Sequence, residues 1–294
     1  MIYIGLTGWG DHDSIYEGTV RNEKLETYAG YFPIVELDST FYAVQPVRNM
    51  EKWVKETPAS FQFIVKAFQA MTGHQRELTP FSTIEEMFDA FRASLKPLIQ
   101  TNKLAMVLFQ FPPWFDCKKD NVKWLRFVKQ QMDGLPVALE FRNQSWFAET
   151  IREQTIQFMR EEGWIHCICD EPQAGYGSIP TVLEATHAKK TLIRMHGRNV
   201  HGWNDPGNGT WRDVRYLYRY NEAELREWQE DLSLLTTKSK DIYIIFNNNS
   251  GGDAADNAFQ LIEMLGIEYT TLAPRQINLF TESSIQNDLF EPFK

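Results

Sequence analysis

Apolar and polar positions along this chain fall into two alternating kinds of segment. Short runs rich in β-branched and aromatic residues recur at Ile2–Leu6, Ile34–Leu37, Phe61–Val65, Leu104–Phe109, Val137–Phe141, Ile165–Cys169, Leu192–Met195 and Ile242–Phe246. Longer amphipathic segments separate them, near Glu23–Tyr31, Val47–Thr57, Ser82–Gln100, Asn121–Met132, Glu149–Glu162, Asn221–Thr236 and Ala254–Leu265. This is the pattern of strands joined in parallel by helical crossovers. Two helix starts are marked by capping boxes, Ser82-Thr-Ile-Glu85 and Asn221-Glu-Ala-Glu224. After the sixth run the helical signal is weakest, because Pro172, Gly175, Gly177 and Pro180 interrupt any period.

Eight such strands predict a closed (β/α)₈ barrel, whereas an open doubly wound sheet more often begins with a Gly-rich turn, and neither G-x-G-x-x-G nor a P-loop is present. The barrel is expected over residues 1–274, followed by a tail at 275–294. A chain of 294 residues, 43% hydrophobic and 23% charged, is long enough to bury one such core.

Barrels carry their chemistry where strands meet the following loops. Here those positions read Thr7-Gly8-Trp9, Asp38-Ser39-Thr40, Lys66, Gln110, Glu140-Phe141-Arg142, Asp170, Arg194 with His196, and Asn247-Asn248. Polar groups at every strand exit are costly in a filled barrel unless they pair with each other or with a ligand.

These residues resemble the YecE-like family of barrels, also called domain of unknown function family 72. The resemblance runs through Gly8-Trp9, Val35-Glu-Leu-Asp-Ser-Thr-Phe-Tyr42, Phe61-Gln-Phe-Ile-Val-Lys66, Phe109-Gln-Phe-Pro-Pro113, Leu139-Glu-Phe-Arg142 with Ser145-Trp146, Arg194-Met-His-Gly197, and Phe246-Asn-Asn248 followed by Ala255 and Ala258. It implies the barrel fold and brings no established reaction or substrate.

The candidate chemistry therefore rests on residue types. Glu140, Asp170 and His196 are the expected acid–base groups, with Trp9, Glu36, Lys66, Gln110, Arg142, Arg194, Asn247 and Asn248 as substrate contacts. Glu140 and Arg142 stand two apart and project on one face, as a substrate clamp or a structural ion pair. Lys66 suits an anion, or a Schiff base if desolvated. Asn247 and Asn248 offer donors and acceptors to a ligand, or cap a loop. His196 with Glu36, Glu140 and Asp170 could line a divalent-metal site, although no metal-binding spacing supports one, and metal is not favoured.

Net charge is −9, so nucleic acid would need a local patch. Gly197–Tyr220 supplies one: Trp203, Trp211, Tyr216, Tyr218 and Tyr220 lie among Arg198, Arg212, Arg215 and Arg219, fit either to stack bases and hold phosphates or to pack as a lid. In the tail, Gln276-Ile-Asn-Leu-Phe280 resembles the bacterial sliding-clamp binding peptide, with Gln276, Leu279 and Phe280 as anchors; Gln286-Asn-Asp-Leu-Phe290 is a poorer copy. The alternative is a C-terminal latch on the barrel.

Three cysteines, Cys117, Cys167 and Cys169, make no zinc spacing or disulfide framework, and the N-terminus lacks a basic signal-peptide region, so a cytoplasmic protein is expected. The leading expectation is an enzyme performing acid–base or hydrolytic chemistry on an anionic, phosphate-bearing substrate related to nucleic acid. The alternatives are a non-catalytic DNA-associated module tethered to the clamp and, third, a glycoside hydrolase with two facing carboxylates.

Overall fold

A computed structural model describes residues 1–16, 23–75, 80–175, 178–203 and 214–275. Eight parallel strands close into a barrel in sequence order, β1 pairing with β8. They are β1 Ile2–Thr7, β2 Ile34–Leu37, β3 Gln62–Lys66, β4 Leu104–Gln110, β5 Val137–Glu140, β6 Ile165–Asp170, β7 Lys190–Met195 and β8 Asp241–Phe246. Among the described residues the helices are α1 Lys24–Tyr28, α2 Ser39–Tyr42, α3 Val47–Lys55, α4 Ile84–Ser94, α5 Lys96–Gln100, α6 Lys119–Gln131, α7 Arg152–Glu161, α8 Val200–Trp203, α9 Glu222–Lys238 and α10 Asp253–Met264.

The expected strands all form, several of them one residue longer at the exit, so that Thr7, Lys66, Gln110 and Asp170 end their strands. The segment expected as one helix from Ser82 divides in two. Pro97 lacks the N–H that a continuous helix needs there, and α4 stops at Ser94 before α5 begins. Its cap also lies one residue later than expected: Thr83 accepts from the Glu86 N–H, while Glu86 accepts from the Ser82 N–H. That start turns Met87, Phe88 and Phe91 onto the core. Between β6 and β7 no helix occurs among the described residues, consistent with Pro172, Gly175 and Pro180 in that connection.

The Asn221 capping box is reciprocal as expected, each partner within 3.0 Å. Asn221→Ala should lower stability by about 1 kcal/mol. Urea melts of the two proteins would check it, and an unchanged midpoint would show that packing alone fixes the start of α9.

Two contacts hold the wall where β1 meets β2. The Tyr28 hydroxyl of α1 donates to the Ile34 carbonyl and accepts from the Leu6 N–H, both at 2.8 Å, satisfying two strand-edge groups with one side chain. Gly5 faces Ile34 so closely that a methyl group there would lie 2.2 Å from the Ile34 carbonyl oxygen. The β1–β2 approach therefore requires glycine.

Candidate functional site

Glu36 sits in β2, Glu140 ends β5, and Arg194 lies in β7, so none is on a neighbouring strand of another. Their side chains nevertheless meet, which places the contact inside the barrel. Arg194 grips Glu36 through Nη2 at 2.5 Å and Nε at 2.8 Å, and reaches Glu140 with Nη1 at 2.8 Å. Just past the end of β5, Arg142 donates to Glu140 (2.6 Å), to Glu171 (2.7 Å) and to His196 Nε2 (2.9 Å). The expected Glu140–Arg142 pair therefore exists as one link in a longer chain of charges. All six residues are buried.

Two guanidinium groups here face three carboxyls, and burial decides which carboxyls stay ionised. Burial alone would push Glu140 up, but Arg142 and Arg194 more than offset it and hold it well below the usual carboxylate range. Burial raises Glu36, opposed by Arg194. Glu171 is pushed up to about 7 by burial, with the Glu140 charge adding to the shift and Arg142 and the Ile179 N–H opposing it. His196 is held well below its ordinary value by burial and then by Arg142 and Arg194, so its ring is neutral. Arg142 can only donate, so His196 Nε2 is the acceptor and the neutral ring carries its proton on Nδ1; the Asn247 amide, 2.9 Å away, accepts that proton when its oxygen is turned toward the ring.

Above this buried layer lies a half-buried one. Gln110 donates to Glu140 at 2.6 Å, and Asn247 is fixed by His196. Lys66 lies 3.3 Å from Asp38 and 4.9 Å above the Phe41 ring. Trp9 packs edge-on to Trp53 at 5.4 Å. The ionic layer thus fixes the orientation of Gln110 and Asn247. Asn248 is placed differently: it donates to the Tyr218 carbonyl and to Asn257, the loop-capping arrangement.

Asp170 stands to one side, bound twice by Arg198 and once by the Trp228 indole N–H. Beside it a cleft of about 450 Å³ is lined by Asp170, Glu171, Gln173, Thr181 and Arg198 among others. Glu171, His74 and Trp114 were not among the expected site residues. Glu171 follows Asp170 directly, but strand alternation assigns it to the opposite face. It reaches Arg142 because β6 ends at Asp170 and the pleat ends with it.

Cys169, Glu171 and His196 offer ligand atoms within 4.8 Å of one another, as do Glu140, Cys167 and Cys169. In the first set Arg142 already donates to both the carboxylate and the imidazole, so a divalent ion would be forced against a guanidinium charge. That donor set suits arginine better than a metal. Glu36 and Glu140 do not face each other across an open gap, as glycoside cleavage requires, since Arg194 lies between them.

The described parts of Gly197–Tyr220 fold over this site. Trp203 and Tyr220 are buried, Arg215 lies 4.1 Å above the Trp203 ring, and Tyr216 sits 5.8 Å from His196. The lid reading holds for these residues, while Trp211 and Arg212 fall outside the described residues. So do Gln276, Leu279 and Phe280. No described helix is long and apolar enough to cross a membrane.

Comparison with known proteins agrees with this architecture. The profile of the family described as "Protein of unknown function DUF72" matches residues 3–279. The UPF0759 protein YunF of Bacillus subtilis (strain 168) is 64% identical over 282 residues, which is 95% of this chain and all of that one. The UPF0759 protein YecE of Escherichia coli K12 is 28% identical over 156 residues, about half of each chain (53% and 54%). Crystal structures of DUF72 family proteins superpose closely. The one from Enterococcus faecalis V583 has a TM-score of 0.89 at 36% identity, covering 95% of this chain and 100% of its own; that from Thermotoga maritima MSB8 has 0.77 at 30%, covering 91% and 100%. By sequence and by fold, the chain belongs to the DUF72 family.

Proposed function

We propose that this barrel is an acid–base enzyme, hydrolytic in type, acting on an anionic, phosphate-bearing ligand related to nucleic acid. The observation that carries the reading is Glu171, a carboxyl pushed to about 7 and fixed between Arg142 and the Ile179 N–H beside an open cleft. A group poised near neutrality can both give and take a proton at physiological pH. Glu171 lines the cleft, whereas Glu140 and His196 do not, and Arg142 and Arg194 hold Glu140 ionised and His196 neutral, so these two act as positioning residues that aim Gln110 and Asn247. Asp170 sets the orientation of Arg198 at the cleft edge. Lys66 supplies positive charge to the mouth. It and Arg142, after burial, pull His74 down to about 4, a field that favours an anion.

Hydrolysis of aryl phosphate mono- and diesters by the intact chain, by Glu171→Gln and by Lys66→Gln tests this. Turnover should fall about 100- to 10,000-fold in Glu171→Gln, while Lys66→Gln should act mainly through KM. Absence of turnover on every phosphoester, or full activity in Glu171→Gln, would refute it.

The peptide Gln276-Ile-Asn-Leu-Phe280 supports a second reading, attachment to the bacterial sliding clamp, independent of catalysis. Calorimetric titration of clamp with the full chain should give micromolar binding, lost in Leu279→Ala/Phe280→Ala. No binding by the full chain would dismiss it.

A further inference from the structure

A row of aromatic rings crosses the loops that follow β2, β3 and β4, apart from the ionic layer. Phe41 stands 5.0 Å from His74 at an interplanar angle of 82°, and His74 stands 5.9 Å from Trp114 at 69°. Lys66 lies over the Phe41 ring. The row thus has a cation at one end and, at the other, Trp114, whose side chain is 60% exposed. Trp114 thus presents an aromatic ring to solvent at the end of the row. The Trp114 indole N–H donates to the Gly73 carbonyl at 3.3 Å, which anchors the ring in position.

His74 between them is half-buried. Its Nδ1 is paired with the Thr72 hydroxyl at 2.8 Å, and its Nε2 has no partner among the described residues. Burial, Lys66 and Arg142 keep the ring neutral, with Glu140 opposing, so Nε2 can serve as a neutral hydrogen-bonding group. Asp38 occupies one of the three Lys66 donors, leaving others for an anionic oxygen.

We propose that Lys66, Phe41, His74 and Trp114 form a nucleotide subsite, with the nucleobase stacked on Trp114, a base-edge atom on His74 Nε2 and the phosphate on Lys66. A cation and a stacking face at opposite ends of one row match the polarity of a nucleotide, which carries its charge and its π-face apart. The proposal rests on the phosphate-bearing ligand proposed above and names its class.

Calorimetry with adenosine 5′-monophosphate, ribose 5-phosphate and adenosine tests it on the full chain. The nucleotide should bind about ten- to a hundredfold more tightly than the sugar phosphate. Trp114→Ala should erase that advantage, leaving ribose 5-phosphate binding unchanged, and Trp114→Phe should restore most of it. Because Trp114 is exposed, these variants should fold. Equal affinity for nucleotide and sugar phosphate, insensitive to Trp114→Ala, would overturn the subsite while leaving the phosphate reading intact. Failure of both phosphates to bind, with adenosine still held through Trp114, would overturn the phosphate reading and keep the stacking face. Binding of none of the three would overturn both.

Discussion

Arg194→Ala is expected to destabilise the barrel by about 3–5 kcal/mol, the usual effect of stranding a buried partner charge. Arg194 is the shared counter-ion of Glu36 and Glu140, and both carboxyls are fully enclosed. Removing it leaves Glu36 without an ion-pair partner among the described residues and Glu140 with Arg142 alone. In a chain of this size the loss should appear as a fall in Tm of roughly 10 °C. Arg219→Ala is the matching control: its pairs with Asp253 and Asp256 are surface contacts, and its Tm should not move measurably. Adding Glu36→Gln to Arg194→Ala should recover part of the loss by deleting the stranded charge. A Tm for Arg194→Ala within a degree of the parent would show that water or rearrangement satisfies the carboxyls at little cost.

The second large effect concerns pH. Glu171 titrates near 7 in the folded chain, against 4.5 for an ordinary glutamate. Between those values the folded state keeps a proton that the unfolded state has lost, so the stability linked to Glu171 is fully present below about 4.5 and is lost as pH rises through 7. At 1.36 kcal/mol per unit the loss amounts to about 3 kcal/mol. His166 works in the opposite direction. Burial holds it down to about 4, so it removes stability as pH falls from 6.5 toward 4, and the parent's profile is a sum of opposed effects. The difference between Glu171→Gln and the parent isolates Glu171, because glutamine does not titrate and neighbouring Arg142 and Glu140 remain. Stability measured at pH 5 and pH 8 should shift in favour of the glutamine variant by several degrees. A difference that stays flat would place the Glu171 pKa near its ordinary value.

The strands were legible from the sequence because each is a short apolar run bounded by polar exits, and a closed parallel sheet needs little more than that pattern repeated. Five of the six residues that form the ionic layer, Glu36, Glu140, Arg142, Arg194 and His196, were legible too, since strand exits in a barrel converge. Their partners were not. Nothing in the spacing of Glu36 and Arg194, which are 158 residues apart, says that a bidentate ion pair joins them. Glu171 was missed because two-residue alternation fails once a strand ends, and His74 and Trp114 because loop aromatics carry no period at all. The capping box at Ser82 came out one residue early because Ser82 and Thr83, like Glu85 and Glu86, are adjacent residues of equal capping ability; burial of Met87, Phe88 and Phe91 chose between them.

The cross-barrel tie also has a consequence for the order in which the chain is made. Glu36 leaves the ribosome long before Arg194, so until β7 emerges Glu36 lacks the counter-ion of its final pair and Glu140 has Arg142 alone. Closing the interior early would trap unneutralised charge, which is strongly unfavourable. Burial of Glu36 is therefore expected to await β7, which would make barrel closure a late event that tests whether the C-terminal half has arrived.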